Sequence, residues 1–306
     1  DVPAIVDLCN AIEAIDQVGN GTSVAELQVD LANPMIDPER DLALWEDDSG
    51  KLAALGALWI HPANELIEAH FWMHIHPDAR GSELDRDLAD WGTQRLREIA
   101  DARNLPARLR VGTRDDNAYR IGIVERNGFQ RDRFFFAMAR LLDQPIDALL
   151  LPEGFTIRAL DGENEVAAWI ETFNLSFVDH WNHHDMTIER REHWMKSLDY
   201  RPELDLVAVA PDGTLAAFSY CTIEAANNQR MGVREGWVSD LGTRRAYRRC
   251  GLARALLAES LRIFKQAGMD TAKLGVDAQN PNGALQLYES VGFQKVETWL
   301  SYVKDV

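Results

Sequence analysis

The chain has 306 residues, 46% of them hydrophobic, and 32 Lys+Arg stand against 49 Asp+Glu for a net charge of −17. That length suits two folded domains and excludes a disordered polypeptide, while the acidic balance opposes any function that wraps a nucleic-acid backbone, which runs on cationic neutralisation. Three separated cysteines (Cys9, Cys221 and Cys250) offer neither a disulfide framework nor a zinc set and fit a reducing, cytoplasmic compartment. No stretch is apolar for long enough to span a membrane and no signal-peptide pattern opens the sequence; Asp1 in place of Met points to a short leader missing ahead of residue 1.

In chain order, DVPAIVDLCN carries a helical apolar period. A hairpin follows, DLALW and KLAALGALWI around the turn EDDSG. His76 to Gly81 forms a loop ahead of a helical run, and Asn127-Gly128-Phe129 precedes another strand. After the proline-containing stretch from Gln144 to Gly154, the same order restarts. EVAAWIETFN falls about 164 positions after the first helix, and the hairpin DLVAVA, PDG, TLAAFSYCTI falls 163 to 164 positions after the first hairpin. Arg244 to Arg249 matches His76 to Gly81, and Val291-Gly292-Phe293 matches Asn127-Gly128-Phe129. Five correspondences in one order predict two copies of one plan, residues 1–148 and 149–306, each an α+β domain with a mixed, mostly antiparallel sheet flanked by helices.

Chemistry concentrates in the second copy. A strand over Trp237 to Thr243 feeds RRAYRRCGLA and then an amphipathic helix with Leu252, Leu256, Leu257, Leu261 and Phe264 on one face. A strand ending in a glycine turn at a helix start is an anion site, because unpaired N–H groups and the positive helix end converge there. Arg244, Arg245, Arg248 and Arg249 are expected to add charge for a polyphosphate. Neither a P-loop nor a GxGxxG fingerprint is present. A further strand, Thr271 to Asp277, leads through Asn280 to a short helix with Tyr288.

Arg248-x-x-Gly251-x-Ala253 after a strand resembles the acyl-CoA pyrophosphate loop of the GNAT superfamily of N-acetyltransferases, and Asn280 with Ala284, Leu287-Tyr288-Glu289 and Gly292-Phe293 resembles that superfamily's following motif. The resemblance implies that Arg249, Cys250, Gly251, Leu252 and Ala253 hold a pyrophosphate through backbone amides, with charge from Arg248 and Arg249. It implies that Leu241, Gly242 and Thr243 pair with a pantetheine arm, that Asn280 bonds the cofactor, and that Tyr288 faces the thioester sulfur. Acetyl-CoA is then the acyl donor and a small amine the acceptor, with no metal, nucleic-acid or membrane partner, in a monomer or homodimer.

A phenol can protonate a departing thiolate and a carboxylate can relieve the acceptor amine of its proton. Asp240 and Glu235 are the candidate bases, on opposite strand faces by parity unless a bulge reverses it; a water is the remaining option. In the first copy Glu83, Asp85, Asp116 and Val124 stand where Gly251, Ala253, Asn280 and Tyr288 stand in the second, so that copy is expected to hold no cofactor. A tandem pair with one degenerate half is similar to the actinobacterial double-GNAT proteins of the mycothiol synthase type. His180, His183 and His184 lack a recognised metal spacing and suit a polar or acceptor-lining loop, with Trp181 beside it. Cys250 invites an acetyl-cysteine route, but direct transfer is simpler. The competing class is an acyl-CoA-binding regulator that transfers nothing.

Overall fold

The computed structural model describes the chain apart from residues 20, 64, 147 and 149; Leu149, where the second copy was expected to begin, is outside the described residues. In chain order the elements are α1 (Val2–Asp16), α2 (Val24–Leu31), β1 (Leu42–Glu46), β2 (Leu52–Ile60), β3 (Ile67–Ile75), α3 (Leu84–Arg103), β4 (Ala107–Arg114), α4 (Ala118–Arg126) and β5 (Gln130–Leu141). They continue as β6 (Thr156–Ala159), α5 (Val166–Phe177), α6 (Ile188–Met195), β7 (Asp205–Val209), β8 (Leu215–Thr222), α7 (Ala225–Met231), β9 (Glu235–Thr243), α8 (Leu252–Gln266), β10 (Thr271–Asp277), α9 (Ala284–Ser290) and β11 (Gln294–Asp305). Among the described residues no helix is long and apolar enough to cross a membrane.

The chain forms two compact units. The first holds Asp1–Phe134 and Thr298–Val306, the second Phe135–Glu297. In the first, β1, β2 and β3 are antiparallel neighbours, β3 runs parallel to β4, and Trp299–Asp305 of β11 pairs antiparallel with Arg114–Arg108. In the second, β6, β7, β8 and β9 are antiparallel neighbours, β9 runs parallel to β10, and β10 pairs antiparallel with Phe135–Leu141 of β5.

These units differ from the division at 148/149, because the last strand of each copy completes the sheet of the other unit. Burial explains the exchange: Leu300 and Tyr302 of β11 are core residues of the first unit, whereas Met138 of β5 and Leu142 just beyond it belong to the core of the second. A polar tie adds to it, since the Tyr302 hydroxyl donates to Glu125 at 2.9 Å.

The element that carries most of the site is α8. Its apolar spacing buries Leu252, Leu256, Leu257, Leu261 and Phe264, each worth about 1.5–3 kcal/mol of transfer from water. Close approach to β9 depends on Gly236, where a Cβ would lie 2.4 Å from the Phe264 ring.

Candidate active site

The parallel register between β9 and β10 runs from Glu235/Thr271 to Val238/Leu274 and stops there. Beyond that point β9 stays paired with β8 as far as Thr243, and β10 with β5 as far as Asp277. The two strands therefore diverge, and a groove opens with Leu241, Gly242 and Thr243 along the β9 edge.

A β-bulge sits at the mouth of this groove. Tyr220 faces Asp240 but Cys221 faces Val238, leaving Ser239 as the extra residue, and such an insertion reverses side-chain parity. Gly236 and Val238 face α8, as does Leu241 past the bulge. Asp240 and Gly242 consequently turn to the other side, where a Cβ on Gly242 would meet Phe218 and Ser176 of α5. The parity expectation for Glu235 and Asp240 is thereby corrected, for the bulge puts them on one face. Distance separates them instead. Five residues of strand amount to roughly 15 Å, and Glu235 is engaged at the far end by Lys273 Nζ at 2.9 Å, so the groove does not receive it.

Asp240 is the perturbed group. Burial raises its pKa to about 6, against the opposing pull of Arg190 and Arg191. Tyr288, on α9, is buried with Phe293 at a ring separation of 6.2 Å; burial pushes its phenol well above the ordinary range, and the Asp240 charge adds to the shift. One environment thus leaves a carboxylate ionised at neutral pH and a phenol protonated, the pattern that separates a base from an acid.

The loop between β9 and α8 turns through two left-handed residues, Arg249 at φ 67° and Gly251 at φ 93°. The helix that follows has no side-chain N-cap and no acidic residue in its first turn, so its leading N–H groups and positive dipole end are left for an anion. Leu252 is buried and anchors the turn, while Cys250 is exposed with its Sγ donating to the Tyr247 carbonyl at 2.8 Å. Ahead of α9, Asn280 Oδ1 accepts from the Asn282 amide at 2.8 Å.

The arginines behave differently from the expectation of four phosphate charges. Arg244 donates to Thr172 Oγ1 and Glu171, and Arg245 is ion-paired with Asp179. Arg248 donates to Asp179 at 2.8 Å, to the Ser176 carbonyl at 2.9 Å and to the Thr243 carbonyl at 3.2 Å. Three of the four therefore fasten the loop to α5 and to the residues after it. Arg249 is exposed and makes no ion pair among the described residues. Arg245 and then Arg248 hold the Asp179 carboxyl down to about 2, so this clamp is charged throughout the neutral range.

Asp179, Arg190, Arg191 and Tyr220 escaped the sequence reading. Asp179 lies in the FVDHWNHHD segment that drew notice for its histidines, and the charges of α6 resemble any solvated helix face. Of those histidines, His180 Nδ1 lies 2.7 Å from the Trp181 carbonyl and His183 Nε2 3.0 Å from Asp185. Among the described residues no group of three or more His, Cys, Asp or Glu side chains is placed to hold a metal.

The first unit has the same divergence and fills it. Parallel pairing of β3 with β4 ends at His70/Arg110. Beyond that, Arg120 of α4 donates from NH1 to the Met73 carbonyl at 2.6 Å and from Nε to the Gly112 carbonyl at 3.3 Å, bridging the two strands. The matching residue in the second copy is Ala284. No bulge interrupts β3 against β2, and Trp72 stands where Asp240 stands. Glu83 is right-handed at φ −79°, unlike Gly251, and Asp85 is buried against Arg126 at 2.6 Å.

Comparison with known proteins agrees with this geometry. The acetyltransferase (GNAT) family model matches residues 166–293. A mycothiol acetyltransferase of Streptomyces bingchenggensis is 30% identical over 272 residues, 86% of this chain and 80% of the relative; that of Salinispora arenicola is 28% identical over 74% of this chain and 70% of its own length. A GCN5-related N-acetyltransferase from Sphaerobacter thermophilus superposes with a TM-score of 0.75 at 25% identity, covering 100% of this chain and 92% of that one. A tandem GNAT protein from the clavulanic acid biosynthesis pathway shares the fold, with a TM-score of 0.73 at 13% identity over 99% and 94% of the two chains. Fold and site define an acyltransferase. The chain belongs to the GNAT acetyltransferase family.

Proposed function

We propose that the chain transfers an acetyl group from acetyl-CoA to the amine of a small molecule, by direct attack, in its second copy, residues 149–306. The observation that carries this reading is the pairing of an ionised Asp240 with a protonated Tyr288 beside the point where β9 and β10 diverge. When bound, acetyl-CoA supplies the activated thioester. Backbone amides from Arg249 to Ala253 hold its pyrophosphate, with Arg249 as the available charge, while the β9 edge at Leu241, Gly242 and Thr243 orients the pantetheine arm. Asn280, in the loop between β10 and α9, hydrogen-bonds the cofactor. Asp240 accepts the proton of the acceptor ammonium at a carboxylate oxygen, and Tyr288 Oη holds the proton needed by the departing thiolate. The Cys250 thiol takes no part in the transfer, being turned to the Tyr247 carbonyl. The relatives are named for acetyl transfer, which supports acetyl as the acyl group.

The first copy, residues 1–148, acts as scaffold. Arg120 across its strand divergence and the carboxylates of Glu83 and Asp85 at its loop oppose an acyl-CoA there. A cytoplasmic setting fits three cysteines that are all free thiols. The test is thiol release from acetyl-CoA across a panel of amines, run beside Tyr288→Phe. Release that falls in the variant supports the reading; tight acetyl-CoA binding without release for any amine favours the non-catalytic regulator.

A further inference from the structure

Arg190 is a cation that the proposed chemistry leaves unused. It lies in the first turn of α6, its amide donating to the N-cap Thr187 Oγ1 at 3.3 Å, and its guanidinium stands 5.7 Å from the Trp194 ring centroid. Nε and NH1 are both shut off from solvent, and neither has a hydrogen-bond partner among the described residues. Leaving buried donors unpaired is unfavourable, most of all on a charged group, and such groups in native proteins call for an explanation, a bound species being one. The neighbouring Arg191 has the same two atoms unpaired but differs in its carboxylate. It is fully buried, ion-paired with Asp205 and stacked 3.8 Å from the Trp169 ring, with Tyr200 donating to the same Asp205. Arg191 is thus held as part of the fold, whereas Arg190 has no carboxylate within ion-pair distance among the described residues.

Arg190 acts electrostatically on Asp240. Geometry places the two on one side of the sheet without contact: Arg190 lies over Trp194, Trp194 stacks on Tyr220 at 5.2 Å, and Tyr220 is the cross-strand neighbour of Asp240, so this side of β9 presents a carboxylate for the acceptor nitrogen and a guanidinium beyond it. A simple cationic acceptor, such as a polyamine, would meet like-charge repulsion at Arg190. An acceptor with an oxyanion beside its amine would match both groups, and a planar guanidinium binds a carboxylate through two parallel N–H bonds.

We propose that Arg190 is a specificity-determining residue that receives an oxyanion of the acceptor, a carboxylate in the simplest case, so that the acceptor class is an amine with an acidic oxygen close to its nitrogen. This rests on the reading of Asp240 as the acceptor-side base. The experiment measures thiol release from acetyl-CoA by the full chain with sets of three matched acceptors: an amino acid, its primary carboxamide and its decarboxylated amine. The expected order of kcat/KM is carboxylate, then carboxamide, then amine, with about 10- to 100-fold between the ends. Arg190→Gln should collapse that order through the acceptor KM while leaving the acetyl-CoA KM unchanged, and Arg190→Lys should restore part of it. Equal rates across each set, a preference for decarboxylated amines, or an order that survives in Arg190→Gln overturns the proposal; a carboxamide that equals the carboxylate assigns Arg190 to a neutral oxygen and overturns it as stated.

Failure of the amine reading is separately visible. If no amine releases thiol, thermal-shift titration with the same sets decides: stabilisation by the carboxylate member that is lost in Arg190→Gln supports an oxyanion site, and no Arg190-dependent shift rejects it.

Discussion

Residues 67–103 and 235–266 are one passage written twice, a strand that leaves its parallel neighbour, a loop and a long helix, yet the two copies differ at the positions that face the groove. In the second, a bulge turns Asp240 to the acceptor side, Gly251 takes a left-handed turn and α8 begins without a cap. In the first, β3 runs without a bulge, Glu83 is right-handed, Asp85 and Asp87 occupy the first helical turn, and Arg120 bridges the open strands. The shared divergence shows that the fold provides a slot in both places. What differs is whether side chains fill it, and that turns on few residues.

The largest break should come from the proton-carrying pair. Asp240→Asn and Tyr288→Phe are each expected to lower kcat by about 10²- to 10⁴-fold with acetyl-CoA affinity retained, as steady-state kinetics and calorimetry would show. Because Asp240 titrates near 6, kcat/KM should rise with pH through that value, in a limb that stays put when acceptors of different basicity are compared and vanishes in Asp240→Asn. The stability effect has the opposite sense. A carboxyl whose folded pKa is raised contributes its full stability below the unfolded value of 3.8 and loses it as pH climbs through about 6. Asp240→Asn should accordingly have a higher Tm than the parent at pH 7, a difference that shrinks towards pH 4.

Next in size is the import of a first-copy residue. Gly251→Glu places a side chain at φ 93°, costing roughly 1–2 kcal/mol of backbone strain, and sets a carboxylate at the phosphate approach. The Cβ itself meets no atom within 4 Å, so the variant should fold. Its acetyl-CoA affinity is expected to drop by about 100-fold or more, given the like-charge repulsion. Asp179→Asn should be milder. Freeing Arg245 and Arg248 loosens the loop and raises the acetyl-CoA KM by several-fold, by the same factor at every pH between about 5 and 9, since Asp179 is ionised across that range. Arg120→Ala should be smallest in function, leaving kinetics unaltered while lowering Tm by a few degrees, in line with about 1–2 kcal/mol for a lost charged hydrogen-bond pair.

Much of this comparison was legible in the sequence. Helical period, hairpin turns and the spacing from Gly251 to Tyr288 located the elements, because burial and backbone freedom leave a local imprint. Tyr288 and Asp240 were singled out there as well, by their side-chain chemistry and the elements that carry them. The roles of the arginines were not, for the partners of Arg244, Arg245 and Arg248 lie about 70 residues earlier in the chain, and no local pattern shows which charge will be neutralised. Glu235 and Asp240 could not be separated for a related reason: a bulge is defined against the neighbouring strand, and here it removed the difference of face and left distance to decide. The exchange of β5 and β11 between the units was equally hidden, since a strand's apolar face does not name the sheet that will cover it.

The central claim is that only the second copy holds the acyl donor. Isothermal titration of the full chain with acetyl-CoA tests it most directly, and the account predicts one molecule bound per chain, with that binding abolished in Gly251→Glu and unchanged in Arg120→Ala. Two molecules per chain, or one that persists in Gly251→Glu, would contradict it.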